Sequence, residues 1–330
     1  MQITIPQQVG VVGTGNIAER HRSNIRKLFP DSKIIALSSR ESLLENEIPY
    51  ADLVVKNVDE LIEKKIDYVI IASPANLHEY FSCKFIEIGI PTLIEKPISI
   101  TVSDAKKIVS NTNTYKTPVG LGYCLRYLPS LSVVQNFLSS NRLGRLFHGS
   151  VEVGQFLPDW RKNKDFRKSV SANKELGGGV LLELSHELDY LSLFFGSLEV
   201  IYSSINFSEE LDLNVEDCAD FYLKAGNNFN INVHLDFLQR APTRRCRFVG
   251  TKGALDWDLI NHKVIFTSKN NNEVVYEDKN FDINEIYLAM LRDFFNYSKT
   301  ATSRLATPKD GANVIALIEK IRQKEVSKEK

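Results

Sequence analysis

The chain has 330 residues, 43% of them hydrophobic and 25% charged, and its 41 basic residues balance 41 acidic ones. That length exceeds one core of ordinary size and predicts two domains, in a composition typical of globular proteins. The balanced charge and the lack of a sustained basic run argue against electrostatic binding to nucleic acid or to an anionic membrane. The four cysteines, Cys83, Cys124, Cys218 and Cys246, show no C-x-x-C spacing. They read as small hydrophobes in a reducing compartment rather than as disulfides or zinc ligands. Met1 to Pro6 leads straight into a strand pattern and no apolar run is long enough to span a bilayer, so a cytoplasmic protein without a signal peptide is expected.

The first element is a strand at 8–13, built on Val9, Val11 and Val12. It turns directly into a helix through Gly13-Thr-Gly-Asn-Ile-Ala18, which fits G-x-G-x-x-G/A. The first glycine permits the tight turn, the second lets backbone approach a pyrophosphate, and Ala18 allows close helix–strand packing. The helix start then directs free N–H groups and the positive dipole end at phosphates. Alone the pattern is weak, and a glycine turn serving another nucleotide or none is the bland alternative. Its place between strand and helix points to a nicotinamide dinucleotide.

Further strands are predicted at 33–39, 67–72, 91–95 and 117–122, with amphipathic stretches such as Asn76 to Gly89 and Thr101 to Asn111 between them. Alternating β and α with strands apolar on both faces gives a parallel, doubly wound sheet. The second strand ends without the acidic residue that takes ribose hydroxyls in NAD-specific folds; Ser39 and Arg40 stand there instead. A hydroxyl and a guanidinium suit a 2′-phosphate, which favours NADP, with NAD as the alternative and an arginine merely stacked on adenine as the bland reading.

After Gly122 the rhythm changes. A helix near 130–140, a strand near 145–154, a polar aromatic loop and a helix from Gly179 to Phe195 come first. Strand runs follow at 198–207, 217–225, 229–238, 244–250, 254–258, 262–267 and 273–277, several joined by short turns. That is the pattern of an antiparallel meander. Helices near 283–299 and 308–324 close the chain, and the charged tail from Lys324 is expected to fray. Residues 1–122 form one expected domain and 123–330 a second, an α+β unit with an open, mostly antiparallel sheet. Its open face needs a cover, so a homodimer or homotetramer through that sheet is expected.

Three further segments carry a resemblance: Ala72-Ser-Pro-Ala-Asn-Leu-His78, the triplet Glu95-Lys96-Pro97, and Gly177-Gly-Gly-Val-Leu-Leu-Glu-Leu-Ser-His-Glu-Leu-Asp189. With the glycine turn, in this order, they resemble the glucose–fructose oxidoreductase / inositol dehydrogenase / MocA family over essentially the whole chain. The resemblance implies a two-domain dehydrogenase, a Rossmann dinucleotide-binding domain followed by an open-sheet domain, with the site in the cleft between them. It implies that Gly13, Thr14, Gly15, Asn16 and Ile17 hold the pyrophosphate. Ser73, Pro74, Asn76 and His78 would line the cofactor channel, with Glu95 and Lys96 under the nicotinamide ribose and a cis peptide before Pro97. Arg126 matches an arginine that reaches the nicotinamide end, and Tyr123, in the same segment, is assigned to substrate. His186 matches the family's catalytic histidine, with Lys96 as its partner.

The residues themselves suit that chemistry. A histidine can take the hydroxyl proton of a secondary alcohol while hydride leaves, and a lysine on the same oxygen stabilises alkoxide charge. Taken singly, His186 reads as a core histidine and Lys96 as a surface ion pair; their recognised order favours catalysis. One departure is Glu183, three residues before His186 where the family places an aspartate at four; both spacings share a helix face, so Glu183 is expected to orient the ring or touch a substrate hydroxyl. Asp189 matches a later family aspartate and reads as structural. Glu183-x-x-His186 is half of a carboxylate metal motif without a second copy, so no metal is expected.

The loop from Phe156 to Lys168 carries Trp160, Arg161, Phe166 and Arg167. Aromatics stack on sugar rings or bases, and paired arginines bind carboxylate or diphosphate; a solvated cationic loop packed down by its aromatics is an equal alternative. This loop and the helix after it are similar to family members of bacterial surface-sugar pathways. The reading is therefore an NADP- or NAD-dependent oxidoreductase acting on a ring hydroxyl or keto carbon of a sugar or nucleotide sugar. The alternatives are an inositol or free-aldose dehydrogenase and, from another class, a dinucleotide-binding regulator.

Overall fold

A computed structural model describes residues 5–42, 47–161, 165–226, 229–296 and 303–324. It divides into two units, Met1–Tyr127 with Ile283–Ile315 and Leu128–Asp282 with Ala316–Lys330. This division differs from the expected single boundary after Gly122, because the chain returns to the first unit near its end.

The first unit begins β1 (Gln8–Val12), α1 (Asn16–Leu28), β2 (Lys33–Leu37), β3 (Leu53–Val55), α2 (Val58–Glu63) and β4 (Tyr68–Ile71). It continues α3 (His78–Glu87), β5 (Thr92–Ile94), α4 (Val102–Tyr115) and β6 (Val119–Leu121). Its six strands run in the order β3-β2-β1-β4-β5-β6, every pairing parallel. The strands are buried because helices cover both faces of such a sheet; Val9, Val11, Val12 and all four residues of β4 lie in the core. The sequence reading missed β3 and α2. A three-residue strand is too short to show a period.

The second unit contains α5 (Pro129–Ser139), β7 (Leu146–Gly154), α6 (Val180–Glu183), α7 (His186–Phe195) and β8 (Leu198–Asn206). Then come β9 (Cys218–Ala225), β10 (Phe229–Asp236), β11 (Thr243–Gly250), β12 (Gly253–Asp258), β13 (Lys263–Thr267) and β14 (Asn272–Glu277). The sheet order is β14-β13-β12-β11-β7-β10-β9-β8. It is not one meander: β7 inserts between β11 and β10 and runs parallel to β10, while the other pairings are antiparallel. One face packs Tyr190, Phe194, Phe195, Phe248 and Trp257 edge to face, each such pair adding about 0.5–1.5 kcal/mol to its area burial. The other face is open. One row across all eight strands, from Tyr202 and Tyr222 through Ser150, Arg247 and Asp256 to Ile265 and Val274, is exposed or half-exposed.

Two helices close the chain, α8 (Asn284–Asn296) and α9 (Pro308–Gln323). In α8, Ile286, Met290, Leu291, Phe294 and Phe295 are buried. Phe295 packs edge-on to Tyr68 at 4.9 Å and to Phe29 at 5.1 Å, which fixes α8 to the first unit. No helix among the described residues is long and apolar enough to cross a membrane.

Candidate active site

In the first unit the site is built at the carboxyl ends of parallel strands, where ligands of open α/β sheets bind. Gly13 follows β1 with φ of 116°, and a Cβ there would lie 2.3 Å from the Ala72 carbonyl oxygen, so only glycine fits. A Cβ on Gly15 would meet nothing within 4 Å. That open space is where the G-x-G-x-x-A pattern needs a pyrophosphate to approach. Gly15 is the N-cap of α1 and supplies no side-chain cap, which leaves the first-turn N–H groups to a ligand. Thr14, Gly15 and Asn16 are exposed, Ile17 is half-exposed and Ala18 is fully buried. The residues present fit a dinucleotide.

Two unforeseen side chains of α1 brace the site, one at the turn and one at Glu95. Arg22 is buried in α1 and donates from Nη1 to the Gly13 carbonyl at 3.1 Å and from Nε to the Pro49 carbonyl at 2.8 Å. His21, also buried, donates from Nε2 to Glu95 Oε1 at 2.6 Å. The signal was present in the sequence: Ala18, His21, Arg22 and Ile25 are spaced as one buried helix face.

At the end of β2, Ser39 is half-exposed and Arg40 exposed. The nearest acid, Glu41, is engaged elsewhere: it accepts from the Val58 backbone N–H and from the Tyr80 hydroxyl, both at 3.1 Å. Among the described residues, that leaves the Ser39 and Arg40 side chains at this strand end.

In the loop after β4 Ser73 is buried, Pro74 is half-exposed and Asn76 exposed. His78 is buried, not lining an open surface; its ring nitrogens lie 2.8 Å from the Pro97 carbonyl and 2.9 Å from that of Ser73. Burial pushes its pKa down, and a neutral ring has one N–H, so one carbonyl at a time receives it. The ring thereby ties the β4 loop to the loop after β5.

The Lys96–Pro97 peptide is cis. From Thr92 to Ser99 every residue is buried except Lys96, which is half-exposed. Glu95 accepts from His21 and, at 3.1 Å, from the Lys96 backbone N–H. Burial works to raise the Glu95 pKa, but the His21 hydrogen bond and charge, with the charge of Lys96, outweigh it and hold the carboxyl below its usual range. Glu95 thus acts as an internal brace. Tyr123 and Arg126 follow β6 and are buried; Arg126 lies 3.4 Å from Asp310.

In the second unit the glycine triplet is a packing requirement. Gly179 has φ of 103°, and a Cβ on it would meet the Glu216 carboxylate at 2.7 Å; Glu216 is in turn paired with Arg322 at 2.8 Å. The expected single helix from Gly179 to Phe195 is broken. α6 ends at Glu183 and α7 begins at His186, with Ser185 between them in helical conformation and its hydroxyl buried without a partner among the described residues. From Val180 to Leu191 only Glu183 and His186 escape burial. Next to His186, the fully buried Glu187 accepts from Arg244 Nε at 2.9 Å and Nη2 at 3.0 Å, a bidentate clasp from β11 to the first turn of α7. Asp189 is buried, as a structural residue would be.

The aromatic loop offers less. Trp160 is half-exposed and packs edge-on to Phe237 at 5.4 Å, with its Nε1 buried and unpartnered among the described residues. Arg167 is exposed and lies over its neighbour Phe166, 5.0 Å from the ring centre. The side chain of Arg161 falls outside the described residues.

The 3-2-1-4-5-6 strand order and the uncapped glycine turn define a dinucleotide-binding Rossmann protein. Residues 7–123 match the Gfo/Idh/MocA oxidoreductase family profile with its NAD-binding Rossmann fold, and residues 132–256 match that family's C-terminal domain. The chain belongs to the Gfo/Idh/MocA oxidoreductase family. It is 22% identical over 280 residues to glucose-6-phosphate 3-dehydrogenase of Bacillus subtilis, covering 82% of this chain and 77% of that one. An inositol dehydrogenase homolog from Azotobacter vinelandii, solved with NAD+, shares the fold with a TM-score of 0.83 at 14% identity, covering 98% of this chain and 97% of that one. UDP-N-acetylglucosamine 3-dehydrogenase from Acidithiobacillus ferrooxidans shares it with a TM-score of 0.76 at 18% identity, covering 98% of both.

Proposed function

We propose that the protein is an NADP-dependent dehydrogenase, with NAD as the alternative cofactor, acting on a ring hydroxyl or keto carbon of a sugar or nucleotide sugar. The observation that carries this reading is the isolated half-exposure of Lys96 and of His186, each the basic group left accessible in an otherwise buried stretch. Relatives named for sugar and nucleotide-sugar oxidation at a ring carbon support the substrate class.

When bound, the nicotinamide supplies the hydride acceptor or donor. The α1 N–H groups with Thr14 and Asn16 bind the pyrophosphate, Arg22 holds the turn in shape, and Arg40 with Ser39 binds a 2′-phosphate. His21, Glu95 and the Lys96 backbone fix the start of the lysine side chain. The Lys96 ammonium hydrogen-bonds the reacting oxygen, and His186 takes its proton during oxidation and returns one during reduction. Glu183 orients the imidazole or meets a substrate hydroxyl; Tyr123, Trp160, Arg161 and Arg167 contact substrate, and Arg126 serves the nicotinamide end. An inositol substrate is the second reading, favoured by a match to inositol 2-dehydrogenase of Rubrobacter xylanophilus. We also infer a homodimer or homotetramer through the open sheet face, where Tyr202, Tyr222 and Val274 stand exposed. We further propose a cytoplasmic place of action, where a nicotinamide pool is at hand.

The test is reduced-nicotinamide absorbance of purified protein with both cofactors and a panel of glucose 6-phosphate, myo-inositol and UDP-N-acetylglucosamine. Turnover that His186→Asn removes supports the assignment. Cofactor binding without turnover of any sugar in either direction overturns the catalytic reading.

A further inference from the structure

The open sheet face carries a side-chain cluster that dinucleotide chemistry does not use. On β9, Cys218 and Asp220 are two residues apart and share a face. In the antiparallel register His234 of β10 stands opposite Asp220, and Asp236 opposite Cys218. Linear spacing hides this set, since the sequence shows only Cys-x-Asp and, fourteen residues on, His-x-Asp. The sulfur of Cys218, a carboxylate oxygen of Asp220 and a ring nitrogen of His234 all lie within 4.8 Å of one another. His234 Nδ1 is 2.7 Å from Asp220 Oδ1, and Cys218 Sγ is 3.9 Å from Asp220 Oδ2.

We propose that Cys218, Asp220 and His234 form a binding site for a zinc-class divalent cation, with a fourth position open to water. Three arguments carry it. The donors are a thiolate, an imidazole and a carboxylate, the mixed set that tetrahedral zinc accepts, and ligand atoms around such an ion lie on the order of 3.5 Å apart. The observed separations straddle that figure, so side-chain adjustments alone can close the site around an ion. Second, the orienting carboxylate is already built. Asp236 is buried and fixed by the backbone N–H groups of Leu238 and Gln239 and by the Gln239 amide, at 2.6, 2.8 and 2.7 Å. It accepts from His234 Nε2 at 2.9 Å, which turns Nδ1 toward Cys218 and Asp220, the arrangement metal-binding histidines use. Third, the His234 ring faces two carboxylates, Asp220 and Asp236, while the adjacent Glu152 is matched by Arg245. This acidic surrounding suits a cation, and because two protons leave as a dication enters, loading adds no net charge to the corner.

Loading the site exchanges two protons for the ion. The Cys218 S–H and the His234 Nδ1–H bonds break, both protons go to solvent, and nothing is oxidised or reduced. The half-exposed side chains of Asp220 and His234 leave a path for the ion.

The experiment is titration of the chelator-treated full-length protein with cobalt(II). We expect one equivalent to produce a thiolate-to-cobalt charge-transfer band and the intense visible bands of four-coordinate cobalt, both removed by zinc. Cys218→Ser should abolish the charge-transfer band, His234→Gln should remove the four-coordinate spectrum, and Asp236→Asn should weaken binding about 10–100-fold. Wild-type protein that develops no charge-transfer band shows that the cluster is an ion pair only and overturns the proposal. A band that survives in Cys218→Ser places the ion on another cysteine and overturns it equally.

Discussion

The stretch from Thr92 to Ser99 and the stretch from Gly177 to Leu191 reach the same local result by different means. Each buries almost everything around a half-exposed basic side chain, Lys96 in one and His186 in the other. Lys96 is set through its neighbours by the helices that pack on the parallel sheet: His21 of α1 and the Lys96 N–H hold Glu95, while His78, the first residue of α3, lies against the Pro97 carbonyl. His186 is set from the sheet side: Gly179 lies against Glu216, and Arg244 of β11 clasps Glu187. Both depend on residues far away in the chain, 74 positions for His21–Glu95 and 57 for Arg244–Glu187, but one uses a hydrogen bond from a helix onto a strand end and the other an ion pair from a strand onto a helix start.

The comparison breaks first on catalysis. If both residues serve one oxygen, His186→Asn should lower turnover by about 10²–10⁴-fold with cofactor affinity nearly intact. Lys96→Met should cost turnover and also weaken the cofactor. The double variant should be little worse than the poorer single, since groups acting as a unit are not additive; fully multiplicative losses in steady-state kinetics would separate their roles.

Backbone substitutions test the two supports. Gly13→Ala and Gly179→Ala each force a positive-φ residue against atoms 2.3 and 2.7 Å away, so each should cost at least about 1–3 kcal/mol in denaturant unfolding. Gly13→Ala should also abolish dinucleotide binding, and Gly179→Ala should leave it largely intact while lowering turnover. Equal loss of cofactor affinity in both would erase the distinction between the two regions.

Cofactor choice comes next. Arg40→Ala should weaken NADP by roughly 1.5–3 kcal/mol, the range of a charge-assisted hydrogen bond, and NAD much less. Calorimetry showing equal losses would mean that Arg40 only stacks on adenine.

The smallest effect concerns Glu95 and acid. Its folded pKa is depressed below the ordinary value of 4.5, so its stabilisation is complete above that value and is lost as pH falls through the depressed one. Melting temperature should decline over that acid window in the wild type, and Glu95→Gln, itself less stable at neutral pH, should show a shallower decline. Parallel curves would show that the brace does not titrate.

The sequence by itself determined the alternation of strands and helices, the glycine turn, the order of the motifs and nearly every strand of the second unit. These rest on local periodicity and on backbone conformations that few residues adopt, and both are written in adjacent residues. Only the tertiary structure decided that β7 inserts beside β10, that the helix after Gly179 breaks before His186, and that α8 returns to the first unit through Phe295. It alone showed Arg22 bracing the turn and His21 bonded to Glu95, Glu41 drawn away to Val58 and Tyr80, and Cys218 brought beside His234. Each of these depends on register or on contacts between residues far apart in the chain. No period of 2 or 3.6 encodes which strand becomes a neighbour, and that choice is made by the burial of whole faces.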